Sequence, residues 1–351
     1  MVSTHIPSGT QNQTVCMQLL ASTIRVRAYS LSSAIQYSGH VLPGRSSLIC
    51  DKGRLSSYDQ KVMRTLLIGA DGQLGSELRQ AFGNHDLIPL THADLELTNP
   101  VQVRETLIKH RPNLILNTAA YHRVDECEDY AERAFAVNAT AVRDLAIVAK
   151  EIGAPLVHFS TDYVFDGRQL SPYREVDRPG PLSAYATSKL AGEYFVQAAL
   201  ERYYLIRTCG LYGMAGSRGK AGNFVETILR LAADGREIRV VGDQIVTPTS
   251  AKELACKVRQ LVETGAYGLY HITNNGECSW YQFAQAILEL SGVRPHLIET
   301  TSAAYAARAA RPAYSVLDNA NLRSLDLDDL SDWRDALEAY LKDRASGRSS
   351  S

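Results

Sequence analysis

The chain has 351 residues, 45% of them apolar and 21% charged, and a formal net charge of −1. Such a length and apolar fraction suit one large or two moderate globular domains with a full core. A near-neutral balance without a basic run argues against nucleic-acid binding, and no stretch approaches the roughly 18 consecutive apolar residues of a membrane span.

Residues 1–50 contain no Asp or Glu, many Ser and Thr, and three arginines, Arg25, Arg27 and Arg45. An acid-poor composition of this kind also describes organelle transit peptides. Residues 1–62 are read instead as a disordered or extraneous N-terminal extension, because Met63-Arg64 stands directly before the first strong strand. The six cysteines (Cys16, Cys50, Cys127, Cys209, Cys256, Cys278) are scattered without a Cys-x-x-Cys pair. A disulfide framework or structural zinc site is therefore not expected, and a reducing cytoplasm is the simpler setting.

From Arg64 the pattern is α/β. Thr-Leu-Leu-Ile at 65–68 predicts a strand running into glycine, followed by a helix over 73–82. A second strand is expected at 87–90, an amphipathic helix over 101–110 ending at Arg111-Pro112, and a third strand at 113–117. A long helical stretch covers 131–152, a fourth strand 155–159, a helix 184–201 and a fifth strand 203–207. Alternating strands and helices imply right-handed crossovers and a doubly wound, Rossmann-like parallel sheet. Ligands in such sheets bind at the carboxyl ends of the strands.

Beyond Arg207 the rhythm loosens. A glycine-rich loop at 210–222 precedes a helix over 224–234, strand-like runs at 238–241 and 268–272, and a helix over 281–290. The expected organisation is a nucleotide-binding domain over 63–207 and a smaller lobe over 208–345, mainly for substrate. Residues 308–312 and the helix near 333–341 are candidates to return to the first domain. The serine-rich end, 346–351, is expected to fray.

Three places carry chemistry. Gly69-Ala70-Asp71-Gly72-Gln73-Leu74-Gly75 lies at a strand-to-helix junction, where glycines let the backbone approach a pyrophosphate seated on the helix N-terminus. An acid at the tip of the second strand would bind a ribose diol and repel a 2′-phosphate. Thr91 and His92 stand there instead, which leans toward NADPH or toward tolerance of both NADPH and NADH; Glu96 and Asp94, slightly further on, are read as adenine acceptors or solvated loop acids. The small residues of Asn117-Thr118-Ala119-Ala120 permit close approach of a cofactor at the end of the third strand.

Tyr185 and Lys189 stand at i and i+4, one face of a helix. An ammonium beside a phenol favours the phenolate and equips the tyrosine for proton transfer near neutral pH. Ser160-Thr161-Asp162 ends the fourth strand, where a hydroxyl can polarise a carbonyl. No serine sits in a G-x-S-x-G elbow, which leaves a hydrolase triad unsupported. The histidines show no metal-ligand spacing, and His158 and His271 read as core residues. Glu126, Glu128 and Asp129 read as a solvated helix start.

Taken together these residues resemble the extended short-chain dehydrogenase/reductases, and within them the dTDP-4-dehydrorhamnose reductase family. The likeness runs from about Met63 to the C-terminal region and rests on the following segments: Gly69 to Gly75; Asn117-Thr118-Ala119-Ala120-Tyr121-His122-Arg123-Val124-Asp125; Phe159-Ser160-Thr161-Asp162-Tyr163-Val164-Phe165-Asp166-Gly167; Pro181 to Tyr185; Lys189 to Glu193; Asn223-Phe224; Asp243 to Thr249; and Arg311-Pro312. The resemblance implies a triad of Thr161, Tyr185 and Lys189. In that scheme Tyr185 protonates the developing alkoxide, Thr161 bonds the ketone oxygen, and Lys189 binds the nicotinamide ribose and lowers the tyrosine pKa. Hydride would pass from NAD(P)H to C4 of dTDP-4-dehydro-L-rhamnose.

The resemblance also places Gly69, Asp71, Gly72, Gln73, Leu74, Gly75, Thr91, Glu96, Ala119, Ala120, Tyr121 and Asn138 beside the cofactor. It places Val124, Asp162, Asn223, Gln244, Thr249 and Arg311 beside the dTDP-sugar. Many members carry a Trp where this chain has Gly210, and a Gly where it has Ala186. Mg²⁺ and a homodimer are compatible with the resemblance, and no residue is assigned to either. Two alternatives stand beside the reductase: a reductase or epimerase of another nucleotide-linked deoxysugar, and a non-catalytic subunit resembling the β-subunit of methionine adenosyltransferase.

Overall fold

In the computed structural model, which describes residues 63–215 and 222–348, short apolar runs build a central parallel sheet. The order along the chain is β1 (Thr65–Ile68), α1 (Gln73–Ala81), β2 (Leu87–Leu90), α2 (Pro100–His110), β3 (Leu114–Asn117), α3 (Ala141–Ile152), β4 (Leu156–Thr161), α4 (Ala184–Ala199), β5 (Tyr203–Thr208), α5 (Ala251–Thr264) and β6 (Gly268–His271). The six strands lie in the order β6-β5-β4-β3-β1-β2. The expectations for residues 1–62, for 216–221 of the glycine-rich loop and for 349–351 lie outside the described residues.

The strands read as continuous apolar runs because helices cover both faces. Leu67, Leu116, Val157 and Ile206 face α1 and α5, while Leu66, Ile68, Ile115, Leu156 and Leu205 face α2, α3 and α4. This alternation is the two-residue period of a strand. Pro89 is tolerated because β2 is an edge strand, paired only with β1. Asn99 caps α2, accepting from the Gln102 N–H at 3.1 Å ahead of Pro100, and the helix stops at Arg111, held in the left-handed region at φ 44°. The chain crosses β1 between β2 and β3, which opens a crevice at the carboxyl ends of β1 and β3.

One expectation is corrected. The sequence pattern assigns the strand-like run at 268–272 to the second lobe, whereas residues 268–271 form β6 and pair in parallel with β5. Together with α5 it forms a further helix–strand unit. The stripe Leu254, Ala255, Val258 and Leu261 buries against α1 and the sheet, which gives β6 a place to dock. The nucleotide-binding fold thus resumes after a break at 209–250.

The second lobe has its own core, built by the helices Phe224–Ala233, Trp280–Leu290 and Trp333–Arg348 around Tyr212, Val225, Ile228, Phe283 and Ile287. The C-terminal helix joins this core through Leu337 and Tyr340, and its Asp343 also accepts from Lys252 of α5 at 2.7 Å. Its small strands are paired Ile238–Val241 with Leu297–Thr300, and Ile245–Val246 with Cys278–Ser279. Among the described residues no helix is long and apolar enough to cross a membrane.

Candidate active site

The glycine turn occupies the crevice edge between β1 and α1. A Cβ on Gly75 would lie 2.1 Å from the Gly69 carbonyl oxygen, so the turn closes only with glycine there. Gly72 is the N-cap of α1 and brings no side chain to its amides, and the first turn carries no acid. The helix N-terminus therefore presents N–H groups and positive dipole to an anion, the setting a pyrophosphate requires. Leu74 is turned into the core, while Gln73 Nε2 donates to the Leu211 carbonyl at 2.8 Å and ties the turn to the second lobe. Asp71 lies within the same turn.

At the tip of β2, Asp94 accepts from both the N–H (2.9 Å) and hydroxyl (2.7 Å) of Thr91. Glu96 accepts from the Thr98 N–H (2.9 Å) and hydroxyl (2.6 Å) and faces His92 at 3.4 Å. Both acids are thus engaged within their own loop.

Ala119, Ala120 and Tyr121 leave β3 along the same edge. Asn138, fully buried, clamps this segment: its Oδ1 accepts from the Tyr121 N–H at 2.8 Å, and its Nδ2 donates to the Tyr121 carbonyl at 3.0 Å and to Ser188 Oγ at 3.0 Å. Ser188 in turn donates to the Tyr185 carbonyl at 2.7 Å. Asn138 sits in a π-helical turn, Ala136–Thr140, within the long helical stretch that ends in α3. One amide thereby links the end of β3 to the helix carrying Tyr185 and Lys189.

Ser183 opens α4, its hydroxyl accepting from the Ala186 N–H at 3.2 Å. Glu128 Oε1 accepts from the Ala184 N–H at 2.8 Å, so one member of the acidic cluster serves this helix start. The cap fixes the helix so that Tyr185 meets the end of β4. The Thr161 side chain lies close enough to the Tyr185 phenol to influence its titration. Thr161 Oγ1 also donates to Asp162 Oδ1 at 2.9 Å and accepts from the Tyr163 N–H at 3.2 Å. The Tyr163 ring meets that of Tyr185 edge-on, with centroids 6.1 Å apart.

Electrostatics here differ from the sequence expectation. Burial, followed by the Asp162 charge, pushes the Tyr185 phenol above its ordinary value, and the nearby Thr161 side chain acts in the opposite direction. Lys189 Nζ donates to the Phe159 carbonyl at 2.6 Å, and burial draws its pKa down to about 8 against the opposing Glu193 charge. The pair therefore holds a protonated phenol rather than a phenolate. Burial also raises the Asp162 carboxyl, which is restrained by donors from Ser315 (2.6 Å), Cys209 (3.0 Å) and Thr161.

The residues expected near substrate divide into two groups. Asp162, Val124 and Arg311 gather around the end of β4 and the segment after β3. Arg311 makes a two-pronged bond to Asp125 (2.8 and 3.1 Å), and the Ala309 N–H donates to the same carboxylate at 3.0 Å, so the 308–312 segment does return to the first domain. Asn223, Gln244 and Thr249 are spent internally. Asn223 caps the helix Phe224–Ala233 and donates to the Gly213 carbonyl at 2.8 Å; Gln244 donates to Ser302 at 2.8 Å; Thr249 donates to the Thr247 carbonyl at 3.2 Å. His158 and His271 are fully buried, as expected of core residues. Among the described residues no group of three or more His, Cys, Asp or Glu side chains is placed to hold a metal ion.

Sequence reasoning did not find Ser188, Cys209, Ser315 or the Glu193–Arg207 pair as supports of this site. For Glu193 a signal existed: it stands at i+4 from Lys189. Ser315 and Cys209 are remote in sequence from Asp162, and nothing local announces their meeting.

A sequence model described as the RmlD substrate binding domain matches residues 63–346. The spore coat polysaccharide biosynthesis protein SpsK of Bacillus subtilis is 39% identical over 285 residues, covering 81% of this chain and 98% of that protein. A dTDP-4-dehydrorhamnose reductase of Burkholderia thailandensis is 36% identical, covering 80% of this chain and 99% of the relative. The crystal structure of a dTDP-4-dehydrorhamnose reductase from Bacillus anthracis in complex with NADP superposes with a TM-score of 0.77 at 35% identity, over 80% of this chain and 99% of that one.

Proposed function

The chain belongs to the dTDP-4-dehydrorhamnose reductase family, and we propose that it reduces the 4-keto group of dTDP-4-dehydro-L-rhamnose to give dTDP-L-rhamnose, with NADPH as reductant. The observation that carries this reading is the approach of Tyr185 to Thr161, beside Lys189 and across the sheet edge from a glycine turn that opens a helix whose first turn carries no acid.

A bound nicotinamide dinucleotide supplies the hydride. Gly69 to Gly75 would hold its pyrophosphate, Ala119, Ala120 and Tyr121 its flank, and Lys189 its nicotinamide ribose. Tyr185, kept protonated by burial and by Asp162, gives its proton to the alkoxide oxygen as the carbonyl is reduced. Thr161, fixed by Asp162 and the Tyr163 N–H, orients that phenol. The buried position of Asp162 makes it the anchor of this arrangement, with Arg311 and Val124 bordering the sugar. NADPH is preferred because Thr91, and not an acid, follows the last residue of β2, and Asp94 and Glu96 are turned to Thr91 and Thr98 of their own loop. Residues 63–207 with 251–271 form the cofactor half, and the lobe around Phe283 receives the sugar nucleotide.

A second reading, turnover of another dTDP-linked deoxysugar, is favoured by Gly210, which leaves the end of β5 without a side chain. A purely regulatory role is disfavoured by the assembled Thr161–Tyr185 contact. The test is to mix the protein with dTDP-4-dehydro-L-rhamnose and either NADPH or NADH and follow the nicotinamide absorbance. Oxidation faster with NADPH is expected; no oxidation with either cofactor overturns the proposal.

A further inference from the structure

Gly210 follows β5 by two residues and has a φ of 54°, a conformation glycine adopts without strain. A Cβ there would lie 3.1 Å from Pro248 Cα and 3.4 Å from Trp280 Cη2. The space that a side chain at 210 would fill is therefore bordered by the six-membered edge of the Trp280 indole, the first residue of the helix Trp280–Leu290. Trp280 is only half-buried and is backed by Phe224, also half-buried, with ring centroids 4.7 Å apart and planes at 51°. Phe283 stacks behind Phe224 at 5.6 Å and 13°. The main chain holds the indole in place, since the Trp280 N–H donates to the Gln244 carbonyl at 3.3 Å and Ser279 caps the helix with a reciprocal bond to Gln282.

This aromatic edge lies close to the chemistry. Gly210 is joined to Cys209, whose thiol donates to Asp162 at 3.0 Å, and Thr208 stands in register with Thr161. A pyranose whose carbonyl is held at Tyr185 would extend toward the end of β5 and the indole edge beside Gly210. A 6-deoxy pyranose offers a methyl group and axial C–H bonds as an apolar face, and aromatic side chains are the usual lining for such a surface. The nucleotide base is separated from the reacting carbonyl by the sugar and a diphosphate, so it belongs further out.

We infer that Trp280, backed by Phe224 and uncovered by Gly210, is the wall on which the apolar face of the substrate's 6-deoxy pyranose packs, and is thus a specificity-determining residue. The inference rests on the sugar-nucleotide reading above. The fluorescence arm of its test reads binding without turnover, so it can fail while the reduction succeeds.

The chain has two tryptophans, so Trp333→Phe leaves Trp280 as the sole indole reporter. This variant is titrated with dTDP-L-rhamnose and, separately, with dTDP, while its fluorescence is followed. A saturable change with dTDP-L-rhamnose that dTDP does not produce is the expected result. An equal change with dTDP places the base on the indole and overturns the inference, as does no change with either ligand. In a second arm, Trp280→Ala raises KM for the sugar nucleotide by roughly tenfold or more, the cost of an apolar contact in a pocket. KM for the nicotinamide cofactor stays as in the parent, and Trp280→Phe restores most of the loss. An unchanged sugar-nucleotide KM in Trp280→Ala contradicts the inference.

Discussion

Glu193 and Arg207 form a two-pronged ion pair sealed from solvent, with Arg207 Nη2 2.6 Å and Nε 2.9 Å from the carboxylate. The side chains are 1% and 3% exposed, and Glu193 stands one helical turn beyond Lys189. The pair pins α4 to β5, and the Arg207 guanidinium also lies 5.1 Å above the Phe165 ring. Removing one partner strands a buried charge. Arg207→Met is expected to cost about 3–5 kcal/mol in urea unfolding, whereas Arg207→Met combined with Glu193→Leu recovers most of it. Equal destabilisation by the single and double variants would contradict this account.

Lys189 gives a pH dependence with a defined sign. Its folded pKa of about 8 lies below the ordinary 10.5, so between those values the unfolded chain binds the additional proton. Unfolding free energy from this group therefore rises with pH across that window, and the protonated lysine is a cost below it. The rise should disappear in Lys189→Met when the two proteins are compared by denaturant unfolding from pH 8 upward. An identical pH profile for both would show that burial does not depress the lysine.

Asn138→Ala leaves the Tyr121 N–H and carbonyl, and Ser188, without their buried partner. Unsatisfied groups of this kind cost about 1–3 kcal/mol each before relaxation. The variant should lose stability and raise KM for the nicotinamide cofactor, because the Ala119–Tyr121 flank is no longer tied to α4. Lost stability with an unaltered cofactor KM would confine Asn138 to a structural role.

Tyr185→Phe removes the proton donor and leaves the ring. A loss of about 10²–10⁴ in kcat is expected with unchanged nicotinamide affinity, measured by steady-state turnover and cofactor titration. Near-normal turnover would remove Tyr185 from the chemistry.

Much of the sheet was legible because its strands are continuous apolar runs ending in chemistry-bearing residues, as at Ile68-Gly69 and Phe159 to Thr161. Strand β6 was legible as a strand but not as a member of the main sheet, because Gly268 to His271 follows a long insertion and its partner β5 lies some sixty residues away. The glycine turn and the Tyr185–Lys189 spacing depend on local geometry, which sequence encodes directly. The Asp162–Cys209–Ser315 cluster depends on tertiary packing, with contacts spanning 47 and 153 residues, and no local pattern could announce it. The same distinction explains Asn223, whose polar side chain reads equally well as a ligand contact or as the helix cap it forms.

The central claim is that hydride reaches C4 of the sugar while Tyr185 supplies the proton to its oxygen. The most direct measurement incubates the protein with dTDP-4-dehydro-L-rhamnose and NADPH carrying deuterium at the transferable nicotinamide position, with the product read by proton NMR. The account predicts dTDP-L-rhamnose with deuterium at C4 as a single epimer, formed by the native chain and lost in Tyr185→Phe. Unreduced substrate, or a product bearing deuterium elsewhere, would contradict it.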